Sequence, residues 1–233
     1  MLEKLKEATI HKTEAEVLAY IADVFSGQAV FTTSFGVEDQ VITDMICRYN
    51  IPIQIVAIDT GRLFEETYKV QDAVRKKYKK DIKVYAPDTK DLEALLAQKG
   101  PYSFYESIEN RKECCYIRKV APLNRALSGK ACWVTGIRSE QSAGRSGMEK
   151  IQYDESYKMY KVNPLYDWQM ADVMHYLETN EVPYNSLHHK GYVSIGCAPC
   201  TRAVKPGEDF RAGRWWWENN TGKECGLHES RKK

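Results

Sequence analysis

Two rhythms of apolar residues alternate along the first 180 positions of this chain. Val17, Leu18, Ile21, Ala22 and Phe25 fall on one side of a helix, so the first 20 or so residues are predicted to form one amphipathic helix. "SGQ" breaks it, and "AVFTTSF" (29–35) is a short β-rich run. Val37, Val41, Ile42, Met45 and Ile46 then space a second helical stripe. "IPIQIVAID" (51–59) is apolar without alternation, as expected of a strand covered on both faces. A helix is predicted through "LFEETYKVQDAVRKKY", a strand over "DIKVYAP", and a helix after Asp88, whose side chain suits an N-cap. "ACWVTGI" (131–137) is a fourth strand; "IQYDESYKMYKVNPL" is hairpin-like, and a helix is predicted from about Asp167 to Thr179. After residue 180 periodicity fades into glycine- and proline-punctuated sequence.

Strands alternating with helices imply crossover connections, hence an α/β fold whose mostly parallel, twisted sheet is flanked by helices, followed by an irregular C-terminal arm. The expected division is a nucleotide- and metal-binding body over residues 1–205 and an arm over 206–233. In such sheets a ligand binds beyond the carboxyl ends of the strands. The segments leaving those ends, "TSFGVED", "DTGRLFEE" and "GIRSEQSAGRSG", carry Thr33, Ser34, Arg62, Arg138, Ser142 and Arg145. Glycines admit an oxyanion close to backbone N–H groups, and a helix N-terminus adds positive potential. Ordinary strand-to-helix turns also favour glycine and serine, so it is the three segments together that suggest a phosphate or nucleotide cradle.

Composition narrows the partners. A formal net charge of +2 provides no global field for nucleic acid or membrane, so anion binding has to come from local clusters. The first 25 residues carry charges throughout and no long apolar run, so a cytoplasmic location is expected. In a reducing compartment clustered thiols signal metal or catalysis more often than disulfides.

Seven cysteines are present. Cys47 lies in a helical apolar stripe and Cys132 within a strand, where free cysteine packs as a small hydrophobe. Cys114 and Cys115 are adjacent, and Cys197 and Cys200 form C-A-P-C. Four thiolates suit a structural zinc or a 4Fe–4S cluster. Neighbouring Cys114 and Cys115 would strain a tight tetrahedron around one ion, whereas a cube offers separate corners. Arg111, Lys112, Arg118, Lys119, Arg202 and Lys205 surround the cysteines, and Lys119 shares a helical face with Cys115. Near the chain end, "RWWWENNTGKECGLHES" places Cys225 between Lys223 and His228, cations that favour a thiolate. At least one of Trp215–Trp217 reads as a packing anchor.

"SFGVED", "DTGR", "CCYIRKV", "GIRSEQSAGR", "VPYNSLHHKGYVSIGCAPCTR", "GRWWW" and "KECGLH" occur in an order that closely resembles the assimilatory adenylyl-sulfate reductases, over roughly residues 25–229. The resemblance implies an adenine-nucleotide α-hydrolase-like fold and one 4Fe–4S cluster on Cys114, Cys115, Cys197 and Cys200. It implies a nucleophilic Cys225 and substrate contacts from Ser34, Lys119, Arg138, Arg211, Arg214 and His228, to which the cradle reading adds Arg62 and Arg145. The implied reaction is reduction of adenylyl sulfate to sulfite and AMP through an S-sulfonated cysteine. Thioredoxin, or a glutaredoxin-like reductant, would supply the electrons, and the setting would be sulfate assimilation and cysteine biosynthesis. A homo-oligomer is expected. Two alternatives remain: a reductase of the 3′-phosphorylated nucleotide or of both, and a zinc-binding nucleotide or nucleic-acid module. An ATP-activating enzyme of the same fold group is disfavoured, because the loop reads "SFGVED" and not S-G-G-x-D-S.

Overall fold

A computed structural model of the 233-residue chain describes residues 1–141 and 148–218. The elements are α1 (Leu2–Thr9), α2 (Glu14–Val24), β1 (Ala29–Thr33), α3 (Val37–Arg48), β2 (Gln54–Ile58), α4 (Glu65–Tyr78), β3 (Lys83–Tyr85), α5 (Thr89–Lys99), α6 (Ile108–Cys115), α7 (Ala121–Leu127), β4 (Cys132–Val134), β5 (Ile151–Asp154), β6 (Met159–Val162) and α8 (Met170–Thr179). Two sequence expectations need correction. The first helix is two helices, because Thr13 and Glu16 cap each other reciprocally and start α2 afresh. Periodicity also passed over residues 100–128, which hold α6, a π-helical turn at Tyr116–Val120, and α7. α6 buries only Arg111 and Cys114 and so prints no apolar stripe; α7 buries Pro122, Leu123, Ala126 and Leu127, but over only seven residues, two turns of helix.

The six strands run in the order β3-β2-β1-β4-β6-β5. β1 pairs in parallel with β2 (Val30 opposite Gln54) and with β4 (Val30 opposite Trp133); β4 pairs in parallel with β6 (Trp133 opposite Lys161). The β5–β6 hairpin is antiparallel. The order reverses between β1 and β4, which is the topological switch point of a doubly wound sheet.

The described chain divides into two compact units. The sheet unit comprises Met1–Ala57, Glu66–Lys83 and Gly129–Ser186. Its core packs Ala29, Phe31, Ile55, Cys132, Val134 and Val162 of the sheet against Val17, Leu18 and Ile21 of α2, Val41, Ile42 and Ile46 of α3, and Val173 and Leu177 of α8. Of the three buried carboxylates on α3, Glu38, Asp39 and Asp44, the last is wholly enclosed. Tyr78 of α4 and Tyr176 of α8 donate their hydroxyls to it at 2.7 and 2.8 Å, and Arg48 pairs with it at 3.0 Å. Satisfying this enclosed acid ties three helices together. On the other face of the sheet, the Lys161 ammonium lies 4.5 Å from the centroid of the Trp133 ring and 3.6 Å from Asp154.

The cysteine unit comprises Ile58–Glu65, Val84–Ser128 and the chain from Leu187. Asp88 accepts from the backbone N–H groups of Lys90 and Asp91 and starts α5; Ser107 accepts from Asn110 and starts α6. Beyond residue 180 the described chain forms 3₁₀ turns and loops without long helix or strand. Among the described residues no helix is long and apolar enough to cross a membrane.

Candidate functional site

In the sheet unit, the loop leaving β1 and the loop leaving β4 open side by side at the switch point. Ser34 is exposed there, and both its backbone N–H and its hydroxyl donate to Asp39 Oδ2, at 2.6 and 2.7 Å. Phe35 holds a left-handed backbone, φ +59°, fixed by its N–H donating to Thr33 Oγ1 at 3.0 Å and by burial of its ring. Such conformations cost a bulky residue free energy and persist where the surroundings over-determine them, often at ligand sites. Gly136 follows β4 where a Cβ would collide with the Asp39 carboxylate, so only glycine lets the two loops approach this closely. Arg138, two residues on, is buried. Its Nε pairs with Glu38 Oε1 at 2.9 Å and its Nη1 with Glu140 Oε2 at 3.0 Å, and Nη1 also donates to the Trp168 carbonyl at 3.2 Å. Gln141 donates to the same Glu38 oxygen at 2.9 Å. Arg138 therefore braces the wall of the cradle through Glu38.

In the cysteine unit, Cys114 and Cys200 are buried and Cys115 and Cys197 half-buried. All four join one apolar cluster with Leu95, Phe104, Ile117, Trp215 and Trp217. α6 carries the tandem pair to its last turn, and the π-helical turn that follows redirects the chain just past the sulfurs. π-Turns of this kind recur at functional sites. Burial pushes the Cys114 thiol up, against the lowering pull of Arg62 and Arg118. The Cys200 thiol is pushed up by burial and by the neighbouring Cys197, Cys115 and Cys114, against the pull of Arg214. The sulfurs are thus near enough to feel one another's charge. Among the described residues, however, no three His, Cys, Asp or Glu side chains are spaced to hold a metal ion.

Cations and N–H donors frame these thiols. Arg118 is buried; its Nη1 donates to the Thr60 carbonyl at 2.7 Å, and burial lowers its pKa. Cys197 Sγ donates to Thr60 Oγ1 at 3.3 Å. Arg62 lies 4.8 Å from the Phe104 ring centroid, and its backbone carbonyl accepts the Ala198 N–H at 2.8 Å, next to Cys197. The guanidinium groups of Arg111 and Arg214 lie 4.7 and 4.8 Å from the Trp215 ring centroid, and the Trp215 backbone N–H donates to the Cys200 carbonyl at 3.1 Å. Gly196 lies flat against the Arg214 guanidinium, where a Cβ would collide. Three buried N–H groups of this shell, on Arg118 Nε, Arg214 Nε and Trp215 Nε1, have no hydrogen-bond partner among the described residues. Buried orphan donors are costly, so three around one set of thiols are a reason to look for an acceptor there.

Of the residues proposed from sequence, Ser34 and Arg138 lie in the sheet unit. Arg62, Lys119, Arg211, Arg214 and the four paired cysteines lie in the cysteine unit. Lys119 is half-buried within the π-helical turn, and Arg211 stands 6.0 Å from the Trp215 ring centroid. Ser142, Arg145, Cys225 and His228 fall outside the described residues. Sequence reasoning passed over Thr60, although it stands inside the quoted "DTGR". It also passed over Glu218, which accepts from Arg111 Nε and Nη2 at 2.8 and 3.0 Å in a buried ion pair. Nothing in the sequence links two residues 107 positions apart.

Residues 28–203 match the family described as the phosphoadenosine phosphosulfate reductase domain. The chain is 46% identical over 211 residues to the adenosine 5'-phosphosulfate reductase of Agrobacterium fabrum, covering 91% of this chain and 81% of that protein. It is 50% identical over 198 residues to the enzyme of that name from Burkholderia cepacia, covering 85% and 79%, and 44% identical over 226 residues to that of Allochromatium vinosum, covering 96% and 88%. Among solved structures it superposes on the phosphoadenylyl-sulfate reductase of Candida auris in its phosphate complex with a TM-score of 0.75 at 30% identity, over 87% of this chain and 96% of that one. A Candida glabrata FMN adenylyltransferase mutant, at 16% identity and TM-score 0.55 over 84% of this chain and 66% of that one, shares the fold alone. By its matched residues and by the identity and coverage of these relatives, this chain belongs to the phosphoadenosine phosphosulfate reductase domain family.

Proposed function

We propose that this protein reduces adenylyl sulfate to sulfite and AMP, with a thioredoxin-type protein dithiol as electron donor. The observation that carries the reading is the gathering of four thiols in one apolar cluster inside a shell of arginines and orphan N–H donors. Its support is a family whose relatives at 44–50% identity bear the name adenosine 5'-phosphosulfate reductase.

Cys114, Cys115, Cys197 and Cys200 would hold a 4Fe–4S cluster. The donor set fits: a cube takes each sulfur at its own corner and does not need four sulfurs to close on a point, as one zinc does. Arg118, Arg214 and Trp215 would give their unpaired N–H groups to its sulfur atoms. A bound cluster would supply negative charge to hold the surrounding arginines and Lys119 in place, and the reaction below would draw no electron from it.

Adenylyl sulfate is a mixed anhydride with an electrophilic sulfur and a good leaving group. The Cys225 thiolate attacks that sulfur, the sulfur–oxygen bond to the phosphate breaks, and AMP departs with the electron pair, leaving S-sulfonated Cys225. Lys119, Arg211, Arg214 and Arg62 would neutralise charge on the sulfonate and on the departing phosphate oxygen. The β1 loop and the N-terminus of α3, braced by Arg138 and Glu38, would seat the nucleotide. A reductant thiolate then attacks Cys225 Sγ, sulfite leaves, and the second reductant thiol resolves the mixed disulfide. Cys225 returns as a thiol, and the two electrons have come from the dithiol.

Mass analysis of the protein after adenylyl sulfate and before reductant tests this directly. The expected result is one sulfonate on Cys225, absent in Cys225→Ser; a Cys225→Ser protein that still releases sulfite would sink the assignment. The likeness to a phosphoadenylyl-sulfate reductase favours one second reading, use of the 3′-phosphorylated nucleotide. Comparing kcat/KM for the two nucleotides decides between them.

A further inference from the structure

The cysteine unit carries an aromatic ridge that the reaction above does not use. Phe104 is buried at its root, 4.3 Å between centroids from Tyr105. Tyr105 stacks toward Tyr102 at 6.3 Å and meets Trp217 edge-on at 4.4 Å; Trp217 meets Trp216 edge-on at 5.7 Å. The ridge is tied to the C-A-P-C loop, where the Tyr105 hydroxyl donates to the Pro199 carbonyl at 2.7 Å. Its crest is open to solvent: Tyr102 is 65% exposed, Trp216 49% and Tyr105 39%. Glu106 stands exposed at its edge and accepts from Asn110 at 3.3 Å, which gives the apolar crest a polar rim. A contiguous, rooted set of exposed aromatic rings with a polar rim is the composition of a protein-binding hot spot.

From this ridge we infer the docking surface for the protein dithiol reductant. The inference rests on the function proposed above. Trp216 and Trp217 stand immediately before Glu218, and Cys225 follows Trp216 by nine residues, at most about 30 Å of extended chain. A protein thiol that must reach Cys225 Sγ to bonding distance therefore brings its own surface within reach of the ridge. Tyr and Trp rings offer large contact area at a small cost in side-chain entropy, which suits a partner that must bind briefly and leave. A small dithiol needs no such surface.

The test compares Tyr102→Ala and Trp216→Ala with the unaltered protein, using a purified thioredoxin in one arm and dithiothreitol in the other. The expected result is a rise of about tenfold in KM for thioredoxin, typical of losing a hot-spot aromatic. Sulfonation of Cys225 and turnover with dithiothreitol should stay unchanged. An equal fall in both arms, or an unchanged KM for thioredoxin, overturns the inference. A change in oligomeric state in the variants assigns the ridge to a second copy of the chain and also overturns it. Faster alkylation of Cys225 in Trp216→Ala assigns the ridge to the chain's own terminal segment, with the same consequence. If the unaltered protein takes no sulfonate at all, the proposed function has failed, and that outcome is read separately from the docking measurement.

Discussion

At the residue scale the decisive contacts are buried charges whose partners lie far away in sequence. Arg111 and Glu218 have side chains only 2% and 4% exposed and pair through two N–H donors. Removing one partner of such a pair leaves an uncompensated charge, while the pair itself adds little over a well-packed apolar contact. Glu218→Gln should therefore lower unfolding free energy by about 3 kcal/mol, whereas a joint Arg111→Met/Glu218→Leu replacement should recover most of that loss. Urea denaturation of the three proteins checks this, and a single variant as stable as the parent would show that the pair is not closed in solution. The same arginine covers one face of Trp215, which holds a left-handed backbone at φ +43°. A tryptophan accepts that conformation because burial and two flanking guanidinium groups fix it. Of the three consecutive tryptophans Trp215 is the anchor, being 1% exposed, and Trp216 faces solvent.

At the scale of elements, α3 shows how a sequence stripe and a polar exception cooperate. Val37, Val41, Ile42, Met45 and Ile46 bury as their spacing predicts, while Asp44 sits among them with Tyr78, Tyr176 and Arg48 as partners. Burial first, then the hydrogen bond to Asp44, pushes both phenols above the ordinary tyrosine range. Because the folded-state pKa values are raised, this contribution to stability is complete below pH 10 and is lost as pH rises beyond it. Tyr176→Phe should lower stability by about 1 kcal/mol at pH 8 and lose less than the parent between pH 10 and 11. Denaturant midpoints across that window provide the measurement; parallel curves would exclude the tyrosines as its cause. Burial raises the Cys132 thiol to about 12 and the Cys47 thiol to about 11. Both add a loss of the same sign above pH 9, which cancels in the comparison of parent with variant.

At the scale of the whole molecule, the two units rest on different kinds of core. The sheet unit buries apolar residues from strands and helices alike; the cysteine unit buries Val120, Leu123, Ala126 and Leu127 as well, but its cysteine cluster has only Leu95, Phe104, Trp215 and two of the thiols themselves as buried members. A small core that includes potential ligands is the circumstance in which a bound metal group acts as a staple. Cys197→Ser should lose iron and acid-labile sulfide. Limited proteolysis should then cut first within Val84–Ser128 or beyond Leu187, leaving the sheet unit resistant. Cleavage spread evenly over both units would show that the metal group does not support the fold.

The sequence by itself determined the elements whose burial repeats at a fixed period, and with them the α/β class. α3, α4 and α8 follow from one apolar face repeating at helical spacing, and β1 and β2 from short continuous apolar runs of strand length, buried on both faces. The cysteine spacing and the motif order likewise lay in the sequence, since each is a local string. Tertiary structure alone decided the rest. Thr13 divides the first helix by a cap that outcompetes the continuing stripe. The π-helical turn appears only where α6 must redirect after its cysteines. Arg138 pairs with Glu38 across 100 positions, and Glu218 meets Arg111 across 107. Which of three identical tryptophans is buried and which is exposed is also a tertiary outcome. Pairing between distant residues leaves no period in a single chain, because the energy that selects it comes from desolvation in the folded state.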